Sequence, residues 1–320
     1  MNNFILNNTL SIDDLGILSF IEKILNGESI SFTTSGTTGE PKHVIHSAET
    51  LVKNIKISTE QQGAVWGLTY DANKIAGSQV ILQAYLNGGK IVNLFGKPKQ
   101  EIVELIDIHN ITHLSATPTF YRLLIGNCNF KNVKQVTLGG ESVDENLIHK
   151  IKQSFPNANV TNIYALTEFG TLFSSHTYYF EISEKNGAFV QIKDNHLCVK
   201  KGSDWVDTGD IVEMLDSNKF KIVGRDLNMI NVGGVKVNPI HVENVINKLS
   251  YVDACYAYAK ENSIMGNVVA VDIQLTTDMP ISVIKNDLTT QLNVYEMPLK
   301  INLVKNLELN STGKIVRKCK

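Results

Sequence analysis

Apolar residues in the first sixty positions recur at helical spacing in two segments, with one short apolar run between them. Residues 12–26 place leucines and isoleucines on one helical face, which predicts an amphipathic helix. The run at 29–34 predicts a strand, and 47–61 predicts a second helix that begins at Ser47, a favoured N-cap residue. The loop between this strand and this helix therefore occupies a usual position for anion-binding loops.

From residue 65 to residue 166, strand-like and helix-like segments alternate. The predicted strands are 65–70, 90–95, 113–117, 133–140 and 160–166, and the predicted helices are 75–87, 99–109, 118–126 and 143–154. Such alternation favours a mostly parallel sheet that is covered by helices on both faces.

The pattern changes near residue 176. Short strands with polar turns at 189–193, 196–200, 211–215 and 220–224 predict an antiparallel piece. Beyond Gly224 and Arg225, the predicted elements are a helix near 239–248, strands near 253–260 and 268–275, a helix near 281–292 and a strand near 300–304. We therefore predict an α/β large domain over 1–224 and a small α+β domain over 225–320.

Composition excludes several classes of protein. The 320 residues suffice for two cores, and a net charge of -2 without a basic run gives no reason to expect a nucleic-acid partner. The four cysteines form no CxxC pair, which argues against a disulfide framework or zinc site and favours a reducing compartment. There is no signal peptide pattern, and no apolar run approaches the ~20 residues that span a bilayer. We expect a cytoplasmic protein.

The candidate chemistry begins at residues 33–42, TTSGTTGEPK, which consist mostly of Thr, Ser and Gly and end in a lysine. Backbone N–H groups, hydroxyls and one ammonium suit a polyphosphate, and glycines let the backbone approach it. The loop is not the common P-loop, because Glu40 and Pro41 separate Gly39 from Lys42. A kinase or GTPase is therefore disfavoured.

This loop resembles the phosphate loop of the adenylate-forming superfamily, which includes acyl-CoA synthetases, nonribosomal peptide adenylation domains and luciferases. Further segments resemble that family's motifs in the same order: SATPTFYRLL at 115–124, LGGESV at 138–143, NIYALTEFG at 162–170, DWVDTGD at 204–210, VGRDLNMINVGGVKVNPIHVE at 223–243 and NSTGKIVR at 310–317. The match extends over residues ~31 to 320. One departure is Ala165, where the family has glycine.

The resemblance implies a role for each matching position. The phosphates of ATP would be bound by Thr34, Ser35, Gly36, Thr37, Thr38, Gly39, Lys42 and Thr167. The adenine would lie beside Gly140, Glu141 and Tyr164, the ribose beside Asp210 and Arg225, and Mg²⁺ on Glu168. Lys314 would be the mobile catalytic lysine, Gly233 and Gly234 would line the path of the acceptor thiol, and Asn228 would be the hinge. The segment 115–124 would line the acyl pocket.

The implied reaction is ATP-dependent activation of a small carboxylic acid to an acyl-adenylate, with release of pyrophosphate. Transfer to the thiol of CoA or of a carrier protein's phosphopantetheine would follow, with rotation of the small domain between the steps. Two alternatives remain open. The acyl-adenylate is passed to an amine or protein acceptor, or the chain is a degenerate nucleotide-binding module.

Two features depart from the family pattern. Only about thirty residues precede the phosphate loop, where full-length members carry a large subdomain. This suggests a naturally short form, a fragment or one part of a pair. A homo-oligomer is one way to cover the surface of the large domain against which that subdomain normally packs. The second departure is at residues 68–77, which read LTYDANKIAG where the family often has an aromatic–His pair. Lys74 in this segment is either a solvated loop charge, which we favour, or a partner for an anionic group of a polar acid substrate.

Overall fold

The computed structural model describes residues 5–6, 14–35, 41–53, 55–126, 128–310 and 314–315. The chain separates into two compact units, the first containing 1–141, 148–176 and 311–314, and the second containing 142–147, 177–310 and 315–320. The predicted boundary near residue 225 lies inside the second unit. Compactness does not test which parts of the chain move, so a functional boundary at 225 stays a prediction.

The first half of the chain contains nine strands and six α-helices within the described residues. In chain order they are β1 (Ile5–Leu6), α1 (Asp14–Leu25), β2 (Ile30–Ser35), β3 (Pro41–His46), α2 (Ala48–Lys53), β4 (Val65–Leu68), α3 (Ile75–Leu86), β5 (Lys90–Asn93), α4 (Lys99–Ile108), β6 (His113–Ala116), α5 (Pro118–Leu124), β7 (Gln135–Gly139), α6 (Glu145–Ser154), β8 (Asn159–Leu166) and β9 (Gly170–Ser175). The alternation predicted from the sequence is confirmed for residues 65–166.

The described strands of the first unit form a seven-stranded sheet in the order β1-β5-β4-β6-β7-β8-β9. Every pair is parallel except β8 with β9, which is antiparallel at the edge. Ile91, Leu114 and Val136, on three of these strands, are fully buried. Residues of α1 and α3 pack in one core cluster with β4, where Ile17, Ile21 and Ile81 are buried. The mostly parallel, helix-covered sheet is therefore confirmed.

The helix predicted over 47–61 is wrong in its second half, because α2 ends at Lys53 and only a 3₁₀ turn, Thr59–Gln61, follows. The predicted start is confirmed, since Ser47 Oγ accepts the backbone N–H of Thr50 at 3.2 Å. Beyond the helix, side chains at the end of α3 satisfy the backbone: Gln83 of α3 accepts the N–H of Lys56 at 3.3 Å, and Asn87, which follows α3, accepts that of Ser58 at 3.1 Å. These tertiary hydrogen bonds replace those that a longer helix would make.

The second half of the chain contains ten strands and three α-helices within the described residues. They are β10 (Phe180–Glu181), α7 (Glu184–Gly187), β11 (Val190–Lys193), β12 (His196–Lys201), β13 (Asp204–Met214), β14 (Lys219–Arg225), β15 (Ile230–Val232), β16 (Val235–Val237), α8 (Pro239–Ile246), β17 (Val252–Asn262), β18 (Gly266–Leu275), α9 (Ile281–Thr289) and β19 (Lys300–Val304).

Two further sheets are built from these strands. The first is antiparallel throughout, in the order β10-β14-β13-β12-β11, which confirms the predicted antiparallel piece. The second has the order β16-β15-β18-β17, with β19 parallel to β18. Its core joins Val242 of α8, Ile284 of α9 and Val271 of β18, all fully buried, so the α+β character predicted beyond residue 225 is confirmed.

Within the described residues, no helix is long and apolar enough to cross a membrane.

Candidate functional site

Four predicted site segments follow parallel strands of the first unit: 69–74 after β4, 117–119 after β6, 140–141 after β7 and 167–169 after β8. Because neighbouring parallel strands point the same way, their carboxyl ends meet at one edge of the sheet, where ligands bind in open α/β folds. The hydroxyl of Thr69 donates to the carbonyl of Ser115 at 2.7 Å, which ties the ends of β4 and β6 together.

Glu141 connects the end of β7 to the first turn of α5. Its Oε2 accepts the backbone N–H of Thr119 at 3.0 Å, while Thr117 Oγ1 accepts that of Phe120 at 3.1 Å as the N-cap. A carboxylate is stabilised there by the exposed N–H groups and by the helix dipole. The sequence motif named Glu141 for adenine binding and missed this second attachment, which depends on the pairing of β6 with β7.

Gly140 and Lys314 lie together in the first unit. Gly140 has a φ of +83°, and a Cβ placed on it would lie 3.3 Å from Lys314 Cε and 3.7 Å from Nζ. Any larger side chain would therefore occupy the space of the lysine stem. Lys314 immediately precedes Ile315, whose backbone forms an isolated β-bridge with Leu309. Two residues 174 positions apart in the sequence, both predicted for the site, are thus adjacent.

The end of β8 carries three predicted residues. The half-buried ring of Tyr164 has its centroid 6.2 Å from that of Phe173 on β9. The pairing of β8 with β9 is irregular between Tyr164 and Ala165, and Ala165 is exposed. Thr167 and Glu168 follow in the turn between the strands, with Thr167 half-buried and Glu168 exposed. The carboxylate of Glu168 is thus accessible to a cation that arrives with a ligand.

Most of the predicted phosphate loop lies outside the described residues, namely Gly36, Thr37, Thr38 and Gly39 and the side chains of Thr34, Ser35 and Lys42. The backbone on either side is antiparallel, with Thr34 opposite Lys42 and Ser35 opposite Pro41. The expectation that a helix follows this loop was therefore wrong, because β3 follows it. The alternation of exposed His43 and Ile45 with half-buried Val44 and buried His46 is typical of a strand with one face on the core.

Asp210 and Arg225 form a two-point ion pair in the second unit. Arg225 Nε donates to Asp210 Oδ1 at 2.6 Å and Nη2 donates to Oδ2 at 3.2 Å. The Asp210 side chain is 5% exposed and that of Arg225 is 42% exposed. The two residues are opposite each other on β13 and β14. This geometry fixes a buried carboxylate against a partly solvated guanidinium, and charged groups of this kind form strong hydrogen bonds with hydroxyl groups such as those of a sugar.

Gly233 and Gly234 form the two-residue connection of the β15–β16 hairpin, with φ of +57° and +90°. Positive φ at both positions is typical of a type I′ turn. The N–H of Gly234 donates to Asn231 Oδ1 at 3.0 Å. Asn228 ends a short 3₁₀ turn, Asp226–Asn228. The conformation of the turn therefore favours glycine at both positions, independently of the predicted role in the thiol path.

Two buried tyrosines near the same sheet edge were not singled out by the sequence. Burial raises the pKa of Tyr70 well above its usual value, with Glu141 adding to the effect and Ser115 opposing it. Burial and the nearby Tyr70 raise the pKa of Tyr121 as well, and a hydrogen bond to the Thr137 carbonyl opposes them. Tyr121 OH donates to the Leu114 carbonyl at 2.9 Å, so this residue of the predicted acyl-pocket segment lies in the core between β6 and β7.

Comparisons with known proteins bear on the family and on the fold. A family model described as "AMP-binding enzyme" matches residues 30–219. Bacitracin synthase 3 of Bacillus licheniformis is 23% identical over 340 residues, which cover 89% of this chain and 5% of that protein. The 2-succinylbenzoate–CoA ligase of Lactococcus lactis is 23% identical over 323 residues, which cover 91% of this chain and 70% of the ligase.

Among solved structures, the anthranilate CoA ligase AuaEII in complex with anthranoyl-AMP superimposes with a TM-score of 0.70 at 17% identity. The superposition covers 89% of this chain and 65% of that one. The chain thus spans slightly less than two thirds of this structural neighbour and a small part of the large synthase. At such identity the superposition establishes the fold.

Proposed function

Since the chain belongs to the AMP-binding enzyme family, we propose that it activates a small carboxylic acid with ATP and transfers the acyl group to a thiol. In the first step a carboxylate oxygen of the acid bonds to the α-phosphorus of ATP, and the bond to the β-phosphate oxygen breaks. Pyrophosphate leaves and an acyl-adenylate remains. In the second step the thiol loses its proton to water and its sulfur bonds to the acyl carbon, while the bond from that carbon to the phosphate oxygen breaks and AMP leaves. The thiol is that of CoA or of a carrier protein's phosphopantetheine.

The adjacency of Lys314 and Gly140 carries this proposal. Both reactants of the first step are anions, so the barrier is largely one of charge and position. An ammonium at the sheet edge beside Gly140 can lie against a carboxylate and an α-phosphate together. The acid needs no general base, because a carboxyl group is already ionised at pH 7. Removing one such donor typically costs about 3 kcal/mol of transition-state stabilisation.

Magnesium fits the site as an ion that arrives with ATP. Within the described part of the chain, no group of three or more His, Cys, Asp and Glu residues forms a ready-made metal site. Mg²⁺ typically takes one or two protein carboxylates and completes its coordination with substrate phosphates and water. Glu168, exposed in the turn after β8, is the residue that would hold it. The ion would supply neutralisation of the phosphate charge, and Thr167 and Lys42 would add donors to those oxygens.

Asp210 and Arg225 would bind the ribose, and Tyr164 would lie against the adenine. The ion pair fixes the carboxylate before the nucleotide arrives, so little ordering is needed on binding. Lys42 and the hydroxyls of the phosphate loop would grip the terminal phosphates. The names of the 2-succinylbenzoate–CoA ligase and the anthranilate CoA ligase support an acid of modest size and CoA as the first acceptor to test.

The test is pyrophosphate release with ATP and Mg²⁺ over a panel of carboxylic acids, with and without CoA. We expect release to depend on one class of acid, and Lys314→Ala to lower kcat at least about 100-fold. Lys285→Ala is the matched control, because Lys285 is an exposed lysine on α9. Release that is equal in wild type and Lys314→Ala would contradict the role of this lysine. Nucleotide binding without release for any acid would favour a degenerate binding module.

A further inference from the structure

The ribose carboxylate lies on a bulge in a sheet strand. On β12, His196 is opposite Ile211 and Cys198 is opposite Asp207, so Leu197 alone is opposite the three residues 208–210 of β13. We call residues 208–210 the ribose bulge. Bulges re-aim a side chain and are frequent beside active sites. Asp210, its last residue, is thereby presented to Arg225 on β14.

The ribose bulge is held in place by its own strand and by β12. Thr208 Oγ1 donates to the carbonyl of Leu197 at 2.8 Å and accepts the N–H of Asp210 at 3.2 Å. Gly209, at φ +73°, donates its N–H to Asp207 Oδ1 at 2.7 Å. These bonds satisfy backbone groups that the irregular pairing leaves outside the β12–β13 ladder.

The second oxygen of Asp207 is held by β12. His196 Nδ1 donates to Asp207 Oδ2 at 2.8 Å. Burial acts to raise the pKa of Asp207, but the N–H of Gly209 and the His196 side chain hold that pKa below its usual value. The carboxylate is therefore ionised at neutral pH and engaged at both oxygens. The Asp207 side chain is 51% exposed, so solvent competes for its hydrogen bond to His196 and the effect of that bond is moderate.

We propose that His196 and Asp207 are positioning residues that set the ribose bulge and, through it, the orientation of Asp210 toward the ribose hydroxyls. Two hydrogen bonds connect these residues to the ribose bulge: His196 bonds to Asp207, and Asp207 accepts the N–H of Gly209, which immediately precedes Asp210. In this proposal the two residues act on the nucleotide only through Asp210. This inference rests on the proposed function, because it assigns the ribose of a nucleotide to Asp210.

The test uses the full chain and measures nucleotide binding beside activity. Asp207→Ala removes both hydrogen bonds, and we expect the KM for ATP to rise about tenfold with kcat changed less than threefold. The preference for ATP over 2′-deoxy-ATP and 3′-deoxy-ATP should fall by a similar factor, because the ribose contact is the one disturbed. Asp207→Asn keeps an acceptor for Gly209 and should restore most of the preference. We expect the KM for ATP and the nucleotide preference of His196→Ala to lie between those of Asp207→Ala and Asp207→Asn.

Glu213→Ala is the matched control, since Glu213 lies on the same strand and pairs with Lys221 at 2.9 Å outside the ribose bulge. Hydrogen exchange of residues 208–210 provides a readout that does not depend on catalysis, and it should accelerate in Asp207→Ala but not in Glu213→Ala. An Asp207→Ala variant with the same KM and the same preference as Glu213→Ala would overturn the inference, as would a loss that Asp207→Asn shares in full.

Failure of the proposed function gives a different pattern. If no acid supports pyrophosphate release but AMP and its deoxy analogues still bind with an Asp207-dependent preference, the positioning role stands and the reaction does not. If the wild-type chain binds no adenine nucleotide, both are overturned.

Discussion

His113 lies at the first position of β6, at the amino end of the strand, and its ring is enclosed. The ring centroid is 4.6 Å from that of Trp66, and Nδ1 is 2.8 Å from Thr112 Oγ1. Burial, with a smaller contribution from Lys134, lowers the pKa of His113 from 6.5 to about 4. The imidazole is therefore neutral in the folded protein throughout the neutral range.

This pKa predicts a dependence of stability on pH. Between pH 6.5 and pH 4, the unfolded chain binds a proton at His113 that the folded chain does not. The stability that the protein has with a neutral His113 is therefore fully present above pH 6.5. It is lost as the pH falls toward 4, which lowers the free energy of unfolding by up to about 3 kcal/mol. We expect His113→Phe, which keeps a ring against Trp66, to flatten the pH dependence of the free energy of unfolding in urea between pH 4.5 and 7.

His149→Phe is the control for this prediction, because the His149 side chain is exposed on α6 and not enclosed as that of His113 is. If His113→Phe and wild type lose stability equally over this pH range, the neutral buried imidazole is not the cause.

Individual residues differ in how far the sequence reveals them. Asp210 and Arg225 can be named from motifs, but their pairing depends on the register of β13 with β14, which shifts just after Ile211. The attachment of Glu141 to the N-terminus of α5 likewise needs two elements that are distant in sequence. Local sequence patterns predict the chemical role of a residue, whereas the residue that it contacts depends on the tertiary structure.

The β15–β16 hairpin allows a test of why its two glycines are there. A Cβ on Gly233 would lie 2.5 Å from Met265 Cε, whereas nothing lies within 4 Å of one on Gly234. We therefore expect Gly234→Ala to cost about 1 kcal/mol of folding free energy from backbone strain alone. Gly233→Ala should cost more, because the methionine must also move. Gly234→Asn should cost less than Gly234→Ala, since asparagine tolerates positive φ.

Urea denaturation of the three variants measures these differences. Equal losses for Gly234→Ala and Gly234→Asn would contradict the assignment of a type I′ turn. If Gly234→Asn is stable yet slows acyl transfer to CoA, the thiol-path role gains support that the fold alone does not provide.

At the level of elements, the sequence is most informative where apolar period and length agree. The alternation from β4 to β8 was predictable because each strand carries buried apolar residues and turn residues separate the strands from the helices. The β15–β16 hairpin was not predicted, because its strands have three residues each. Strand β3 was not predicted, because its first residues belong to the motif of the phosphate loop. Helix α2 is shorter than predicted, because backbone groups beyond it form hydrogen bonds with side chains at the end of α3.

At the level of the whole molecule, the predicted residues for the two half-reactions belong to different parts of the chain. Lys314 is grouped with the first unit, beside Gly140, whereas Gly233 and Gly234 belong to the second unit. The proposed adenylation depends on the lysine, and the proposed thiol transfer depends on the hairpin turn. If the family's rotation between the two steps operates here, a substitution at the residues of one step should leave the rate of the other step largely unchanged.

This separation is testable with two variants and two assays. We expect Lys314→Ala to abolish pyrophosphate release from ATP and acid, yet to transfer the acyl group from supplied acyl-adenylate to CoA at a rate within threefold of wild type. Gly234→Leu, at an exposed turn where an added Cβ has no neighbour within 4 Å, should retain the first turnover of pyrophosphate release and slow transfer to CoA at least tenfold. Gly234→Asn controls for strain in the turn. If both variants lower both rates by the same factor, the two steps use one fixed arrangement of the chain, and rotation between them is not part of the mechanism.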